Sequence, residues 1–370
     1  MLVFVLIYNT LLLIVLVGSV GWLVRHPTVR NGAGVMALGA AAAVWAAVGL
    51  GQTMFFAAHL AGYGLFVFAP LLLLGVAWAI RRTHRPWAIG SALLATAIAA
   101  VGVDAFLIEP QWLEVTHHEI RSKRVAKPVR IVVLADLQTD RIGPYKERVL
   151  AEVARAKPDV LLLAGDYIQT YDAEHFTRQA EKLNRLFGRF FDEAASGERP
   201  RAFAVRGNVD DFGLQAVFRD TPVEVANRRR TFPVAGLVLT CLGLEESFDT
   251  TTRVARPGEA DDRFHIVMGH SPNFALGRVE ADLMVAGHTH GGQVRLPLLG
   301  PVLTLSAVPR DWAAGLTQID DGRRLLVSRG VGMERGRAPR LRFLCRPELV
   351  VVDLLPEDSS DAAGGQAGSR

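Results

Sequence analysis

The chain has 370 residues, half of them hydrophobic, which is enough for one large domain and a second region. Its net charge of +4 comes from scattered arginines. Apart from "NRRR" (residues 227–230), the sequence has no basic stripe interleaved with aromatic residues, so nucleic-acid binding is not expected. The two cysteines, Cys241 and Cys345, have no metal-ligand pattern beside them and are predicted to be small buried apolar side chains.

The N-terminal region is almost entirely apolar. Residues 2–24 match the roughly 20 residues of a membrane-spanning helix, and no basic segment precedes them as it would in a signal peptide. Residues 32–80 are about twice the length of one span, and "HLAGYG" (residues 59–64) is the predicted turn between two helices. Residues 87–108 complete a predicted set of about four transmembrane helices within residues 1–110.

The links "RHPTVRNG" and "RRTHRP" carry the arginines of this region. With four spans both links lie on one side, and the positive-inside rule places that side in the cytoplasm. We therefore expect a multi-pass protein of the cell membrane whose N-terminus and soluble domain are extracytoplasmic, that is, periplasmic. A count of three spans would reverse the side of the soluble domain.

Beyond residue 110, short apolar runs alternate with amphipathic segments. The pattern predicts strands at residues 129–136, 159–166, 201–208, 236–244, 264–270 and 281–290, helices at 145–157 and 174–194, and a hairpin over 316–328. This order favours an α/β layered sandwich with two sheets between helices. The domain is expected to span residues 111–355, followed by a disordered tail at 356–370 that is rich in Ser, Ala, Gly and Asp.

Five predicted strands end in side chains of types that bind metal ions. These are Asp136, Asp166, Asn208, His270, and the pair His288 and His290 in "GHTHGGQ". Taken singly, an aspartate here is more often a cap, an asparagine a turn residue and a histidine a core residue. Ligands gather at the carboxyl ends of strands in open α/β sheets, so the set indicates one site. Its donors suit two divalent ions about 3.5 to 4 Å apart, with Asp166 as the bridging carboxylate.

These motifs resemble, in order and spacing, those of the calcineurin-like metallophosphoesterase superfamily, and specifically its membrane-anchored bacterial branch. The matching positions are Asp136 with its two-residue step, Gly165-Asp166, Gly207-Asn208 followed by Asp210, Gly269-His270, and Gly287-His288-Thr289-His290. The segments "VSRGVG" and "RFLCRPELVVVDL" are similar to the C-terminal strands of that branch. The resemblance implies a four-layer double β-sandwich flanked by helices, and two divalent metal ions drawn from Mn, Fe, Zn or Mg.

The resemblance also implies a role for each matching residue. Asp136, Asp166 and His290 would hold the first metal. The second metal would be held by Asp166, Asn208, His270 and His288. The residues expected to act in catalysis are Asp166, Asn208 and Asp210, the last by orienting its loop.

Two positions depart from the family pattern. Gln138 stands where a histidine usually binds the first metal, and its neutral carbonyl oxygen would bind more weakly and suit Mg or Mn better than Zn. We keep Gln138 as a candidate ligand of a looser first site. Val209 stands where a histidine usually lies near the leaving oxygen, so a proton-donating step worth roughly 10²- to 10⁴-fold is absent. Substrates with good leaving groups are therefore expected.

Together these residues predict a membrane-anchored hydrolase that cleaves a phosphodiester, pyrophosphate or phosphomonoester by attack of a metal-bridging hydroxide. The expected partner is a phosphorylated small molecule or a lipid. The alternative is a non-catalytic membrane sensor or scaffold with a degenerate metal site, which Gln138 and Val209 favour and the six retained ligand-type residues oppose. A transporter is disfavoured, because Asp104 is the one acidic or basic residue within the predicted spans apart from His59.

Overall fold

A computed structural model describes residues 1–194, 199–210, 213–258 and 262–357. The chain divides into two compact units. The helical unit consists of residues 1–108 and 334–341, and the sheet unit consists of residues 109–333 and the chain from 342 onward. The predicted tail at 356–370 begins inside the last strand, and its residues 358–370 lie outside the described part of the chain.

The helical unit contains the helices α1 (Leu2–Arg25), α2 (Val29–Leu50), α3 (Met54–Tyr63), α4 (Ala69–Ile80) and α5 (Arg85–Val103). A π-helical segment at Gly64–Phe68 joins α3 to α4, so the two form one continuous helix over Met54–Ile80. Four helices in the described chain are then long and apolar enough to cross a membrane. This number confirms the prediction of about four apolar helices.

The predicted turn at residues 59–64 is wrong, because this segment is helical. The break between the second and third long helices lies earlier, where Gly51 leaves the helical conformation and the hydroxyl of Thr53 accepts a hydrogen bond from a backbone N–H of the next turn. Gly64 serves packing instead of a turn. An added Cβ there would lie 2.5 Å from the hydroxyl oxygen of Tyr8.

The helices pack around a core that includes Tyr8, Leu23, Leu60 and Leu72. Large apolar side chains also cover the outer surface of the bundle. Examples are Leu2, Ile14, Val17, Trp45 and Leu93. Extensive exposed apolar surface is unusual for a unit in water and ordinary for one surrounded by acyl chains.

The strands of the sheet unit are β1 (Glu114–Ser122), β2 (Val129–Leu134), β3 (Val160–Leu163), β4 (Arg201–Val205), β5 (Val223–Ala226), β6 (Arg230–Val234), β7 (Leu237–Cys241), β8 (Arg253–Val254), β9 (His265–Met268), β10 (Arg278–Val279), β11 (Leu283–Ala286), β12 (Arg295–Leu296), β13 (Gly300–Pro301), β14 (Gly315–Gln318), β15 (Arg324–Val327) and β16 (Glu348–Pro356). Its helices are α6 (Pro144–Ala156), α7 (Ala173–Glu193), α8 (Gln215–Phe218) and α9 (Leu244–Phe248).

Two six-stranded sheets form the centre of this unit. The first has the order β1-β16-β2-β3-β4-β5, with β2 to β5 parallel and β16 antiparallel to β2. The second has the order β14-β15-β11-β9-β7-β6, with a parallel centre and antiparallel strands at both edges. Strands β14 and β15 form the predicted hairpin.

The two sheets pack face to face. Alternate residues of β2 show this: Ile131 and Val133 belong to the core between the sheets, while Val132 and Leu134 face the core under α6 and α7. The outer face of the second sheet is buried under short helical segments, including Pro272–Leu276. Helices, two sheets and helical segments make four layers, which confirms the predicted fold class.

Parallel strands from both sheets end at the candidate site. β2, β3 and β4 in the first sheet, and β9 and β11 in the second, each lead into a loop that carries at least one of the predicted ligands. None of the predicted ligands is among the residues left undescribed, 195–198, 211–212, 259–261 and 358–370. The sandwich therefore provides a rigid frame on which ligands from distant parts of the chain meet.

Candidate metal centre

Three predicted ligands form a compact buried group. One ligand atom each of Asp136, Asp166 and His270 lies within 4.8 Å of the others. His270 Nε2 is 3.4 Å from Asp166 Oδ2, and His270 Nδ1 is 3.8 Å from Asp136 Oδ1. Because these residues follow β2, β3 and β9, the group joins the two sheets. Two carboxylates and an imidazole in a buried group are a donor set suited to a divalent cation.

The ring of His270 is held in one orientation. Its Nδ1 donates a hydrogen bond to the carbonyl oxygen of Ala164 at 2.8 Å. Its Nε2 lies 2.9 Å from Asn208 Oδ1, so β4 brings the predicted asparagine to the same place. A ring N–H that is fixed by a backbone carbonyl is the usual support of a metal-binding histidine, because it leaves the other nitrogen for the ion.

The two histidines after β11 lie near this group: the charges of Asp166 and His270 act on both rings. The ring of His288 packs against that of His270 with centroids 5.1 Å apart, and its Nε2 donates to the carbonyl oxygen of Leu305 at 3.2 Å. The Nδ1 atom of His290 is buried and has no hydrogen-bond partner among the described residues. A buried ring nitrogen in that state is costly unless a ligand satisfies it, so His290 fits a metal-binding role.

Predicted ligands adopt an uncommon backbone conformation. Positive φ angles occur at Asp136 (48°), Gln138 (22°), Asp166 (57°), His288 (71°) and His290 (49°). A positive φ angle at a residue that is not glycine lowers the stability of the fold by on the order of 1 to 3 kcal/mol. Such residues concentrate at functional sites. The surrounding fold therefore holds these loops in shapes that serve the site.

Asp210 supports the loop that carries Asp166. Its carboxylate accepts hydrogen bonds from the backbone N–H groups of Asp166 (3.0 Å), Tyr167 (2.9 Å) and Gly207 (2.7 Å). Asp210 therefore joins the loop after β4 to the loop after β3; its role in catalysis stays a prediction. The neighbouring Val209 donates its backbone N–H to Asp166 Oδ1 at 3.0 Å, so its main chain supports the bridge candidate while its side chain is apolar.

Gly207 allows the loops after β3 and β4 to touch. A Cβ added there would lie 2.0 Å from Asp166 Oδ1 and 2.3 Å from the Asp166 backbone nitrogen. Real Cβ atoms do not approach polar atoms this closely. Only glycine therefore permits the observed position of Asp166.

Gln138 is buried beside the group. Its backbone N–H donates to the carbonyl oxygen of Asp166 at 2.8 Å, and its side-chain Nε2 donates to Gln169 Oε1 at 3.1 Å. Gln169 thus fixes the amide that replaces the usual histidine. Gln169 could not be predicted from the sequence, because no residue type or spacing near it marks a partner for Gln138.

Two buried cationic side chains brace the loop of Asp136 and were also missed. Arg342 is fully buried and donates to the carbonyl oxygens of Arg329, Gly330, Gly332 and Cys345. The loop at 329–332 in turn donates the Gly332 N–H to the carbonyl oxygen of Asp136 at 2.7 Å. Lys146 Nζ donates to the carbonyl oxygens of Leu137 (2.5 Å) and Val331 (3.2 Å).

The charges of the site are coupled through burial. Burial raises the pKa of Asp136 to about 7. Burial also opposes ionisation of Asp166, but the charge of His270 and their hydrogen bond outweigh it and lower the pKa of that carboxyl. Burial acts to lower the pKa of His270, yet the Asp166 carboxylate raises it to about 9. A proton on His270 thus supplies positive charge between the carboxylates, and a bound cation would displace it.

The other two histidines are neutral at physiological pH. Burial and the charge of His270 lower the pKa of His288 to about 4. Burial also holds the pKa of His290 well below its usual value. Neutral imidazoles are the form that binds metal ions.

Comparison with known proteins agrees with this geometry. Residues 129–292, which run from β2 through the motif of His288 and His290, match the family model described as calcineurin-like phosphoesterase. The chain carries a calcineurin-like phosphoesterase domain. This match confirms the predicted superfamily. It also confirms the prediction of a hydrolase that acts on phosphoric ester or anhydride bonds.

Three relatives illustrate the range of similar proteins. Phosphodiesterase YaeI of Escherichia coli is 29% identical over 67% of this chain and 90% of its own length. The uncharacterized metallophosphoesterase YkuE of Bacillus subtilis is 28% identical over 71% of this chain and 93% of its own length. UDP-2,3-diacylglucosamine pyrophosphatase LpxG of Chlamydia muridarum is 24% identical over 73% of this chain and 98% of its own length.

Proposed function

We propose that this protein is a membrane-anchored phosphoesterase with two divalent cations, preferably Mn. The first would be held by Asp136, Gln138, Asp166 and His290. The second would be held by Asp166, Asn208, His270 and His288. The observation that carries this proposal is the buried group of Asp136, Asp166 and His270, whose ligand atoms lie within 4.8 Å of one another. The buried Nδ1 of His290, which has no hydrogen-bond partner in the described chain, supports it independently.

When bound, such cations would polarise the phosphoryl oxygens and lower the pKa of a coordinated water. Other residues of the protein hold the proposed ligands in position. Asp210 holds the Asp166 loop through three backbone hydrogen bonds, and the Gln169 amide holds Gln138. No side chain at Val209 can protonate a leaving oxygen, so a leaving group that departs as a stable anion is favoured. Pyrophosphate linkages and aryl diesters meet this requirement better than alkyl phosphates.

We further propose that residues 1–110 anchor the protein and that the phosphoesterase domain, residues 111–355, is extracytoplasmic. The four apolar helices and the arginine-rich links support this orientation. A cysteine introduced at the exposed Glu174 should then react with a membrane-impermeant maleimide in cells whose outer membrane has been made permeable and whose inner membrane is intact. Labelling only after lysis would place the domain in the cytoplasm.

The names of two relatives suggest the class of substrate. One is a phosphodiesterase and another is a pyrophosphatase of a diacylated sugar nucleotide. A phosphodiester or pyrophosphate carried by a small molecule or by a lipid is consistent with both names and with the membrane anchor.

The test uses the full chain purified in detergent and supplied with Mn. We expect hydrolysis of methyl nitrophenyl phosphate, a diester with a good leaving group, and at least 100-fold slower hydrolysis by an Asp166→Asn variant. The matched control is Glu174→Gln, which changes an exposed carboxylate on α7 and should leave turnover within twofold. Equal and negligible turnover by all three proteins across a panel of diesters would favour the non-catalytic alternative.

A further inference from the structure

A hairpin beside the metal centre exposes a concentrated apolar surface. We call residues 294–306 the apolar hairpin; it contains β12, β13 and the turn between them. Its exposed apolar side chains are Leu296, Leu298, Leu299, Val302, Leu303 and Leu305. Arg295 is its one charged residue. Single exposed leucines are ordinary, but six apolar side chains in one short segment mark an interaction surface.

Two leucines of the apolar hairpin adopt strained backbone conformations, so the stability of the fold does not explain why leucine stands there. Leu298, at the turn, is fully exposed and has a φ angle of +66°, and Leu305 has a φ angle of +52°. Glycine or asparagine adopts such conformations with less strain, and either would also be more soluble at a turn in water. A leucine at position 298 therefore lowers the stability of the fold in two ways, through its backbone strain and through its exposed apolar side chain. This indicates that the side chain contacts something other than water.

Both ends of the apolar hairpin are tied to the metal centre. It begins four residues after His290, and the carbonyl oxygen of Leu305 accepts the hydrogen bond from His288 Nε2. Its base is fixed by Phe343, whose backbone accepts from Arg295 at 2.9 Å and donates to Gln293 at 3.0 Å. The base is thus rigid and adjoins the predicted ligands, while the tip projects its leucines into the surroundings.

We propose that the apolar hairpin inserts its leucines among the acyl chains of a lipid bilayer, so that the metal centre acts on a phosphoester carried by a lipid in that bilayer. The lipid substrate rests on the proposed phosphoesterase activity, whereas the insertion rests only on the proposed membrane anchor and on the exposed hairpin. The same chain carries four helices that are long and apolar enough to cross a membrane, and the proposed anchor would tether the domain to a bilayer. The exposed Arg310, which follows the hairpin, suits the anionic headgroups at a membrane surface.

Insertion can be tested without measuring activity. Full chain carrying Leu298→Cys is labelled with an environment-sensitive fluorophore and placed in nanodiscs of phosphatidylcholine and phosphatidylglycerol. The two native cysteines are buried, so the label is confined to residue 298. We expect strong quenching by phosphatidylcholine with doxyl-labelled acyl chains and weak quenching by aqueous iodide. The matched control, Glu174→Cys on α7, should show the reverse. Iodide quenching at 298 as strong as at 174 would overturn the proposal.

The link to a lipid substrate is tested with two diesters that share one leaving group. One is a diacylglycerol nitrophenyl phosphate in the nanodisc, and the other is methyl nitrophenyl phosphate in solution. A double variant, Leu298→Asp with Leu299→Asp, should lower turnover of the lipid diester at least tenfold and leave the soluble diester within twofold. Replacement of both leucines by methionine should preserve turnover of the lipid diester, because methionine keeps the apolar side chains.

The outcomes separate this inference from the function on which it rests. Equal loss on both diesters would mean that the hairpin acts only by supporting the metal centre, and unchanged turnover of the lipid diester would mean that insertion serves no substrate. Either result overturns the proposal. If the unaltered chain hydrolyses neither diester, the proposed function fails, and the quenching measurement still decides whether the hairpin inserts.

Discussion

Replacing Gly207 by alanine should disable the metal centre while leaving the fold largely intact. The added Cβ would lie 2.0 Å from Asp166 Oδ1, 2.3 Å from its backbone nitrogen and 2.7 Å from its Cγ. Non-bonded heavy atoms prefer separations of about 3.5 Å, so the two loops must part by roughly 1 Å or more. A flexible side chain cannot absorb this movement, because one of the atoms in contact belongs to the backbone of Asp166.

The size of the effect follows from the geometry of metal binding. Ligand distances tolerate deviations of only about 0.2 Å, and Asp166 is the proposed bridge of both ions, so a shift of this size affects both sites. Misplacement by about 1 Å can cost 10²-fold in rate. The shift would also weaken the hydrogen bond from the Gly207 N–H to Asp210. We expect Mn affinity and diester turnover each to fall by about 10²-fold, or about 2.7 kcal/mol.

The assay is calorimetric titration of Mn into metal-stripped full chain, with thermal unfolding measured on the same samples. Gly188→Ala is the matched control, since this glycine lies within α7 and an added Cβ there meets open space. It should leave Mn affinity unchanged and stabilise the helix by about 0.5 to 1 kcal/mol. Mn affinity of Gly207→Ala within threefold of the unaltered chain would refute the assigned position of Asp166.

Three further predictions concern the brace, the charges and the missing histidine. Arg342→Met leaves four backbone carbonyls, three of them buried, without this donor, so the free energy of unfolding should fall by at least about 3 kcal/mol and amide exchange in the loop at 329–332 should accelerate; unchanged exchange would contradict the brace. Mn affinity should rise from pH 6 to pH 9, because protonated Asp136, with a pKa of about 7, and protonated His270, with a pKa of about 9, compete with the ion at lower pH. Titrations in buffers of different ionisation enthalpy would count the protons released, and affinity that falls with pH would contradict this assignment. Val209→His should raise turnover of an alkyl phosphate relative to the nitrophenyl diester by up to about 10²-fold; an unchanged ratio would show that leaving-group protonation is not what position 209 lacks.

The strands and candidate ligands of the phosphoesterase domain were predictable, because the ligands lie in the loops that follow the strands along the sequence. Each ligand candidate comes within a few residues of the end of an apolar run, and such local order is visible in a single sequence. The position of β16 was not visible, since it pairs with β1 and β2 although more than 200 residues separate them along the chain. Local patterns predict that a strand exists, whereas its neighbours depend on the packing of the whole sheet.

The misplaced turn in the helical unit has a similar cause. The glycines near residues 59–64 suggested a turn, but Gly64 is needed because α1 approaches it with the hydroxyl of Tyr8. A glycine required by close packing and a glycine required by a turn are the same letter in a sequence. The real break at Gly51 and Thr53 is marked by a capping threonine, a signal that the apolar pattern around it concealed.

The supporting residues of the site could not be predicted for a different reason. Lys146 lies in an ordinary amphipathic helix, and Arg342 lies among residues that resemble a strand. Their partners are backbone carbonyls, which every residue possesses, so no residue type signals the contact. The apolar hairpin presents the same difficulty, because exposed and buried runs of leucine read alike until the fold is known.

The central claim is the proposal that Asp166 would hold both cations of one buried centre. Electron paramagnetic resonance of the full chain loaded with Mn measures this most directly, because two Mn²⁺ ions that share a carboxylate are magnetically coupled. We predict the spectrum of a coupled pair at two Mn per chain, and loss of that coupling in Asp166→Asn. A spectrum of isolated Mn, or a coupled pair that persists in Asp166→Asn, would contradict the account.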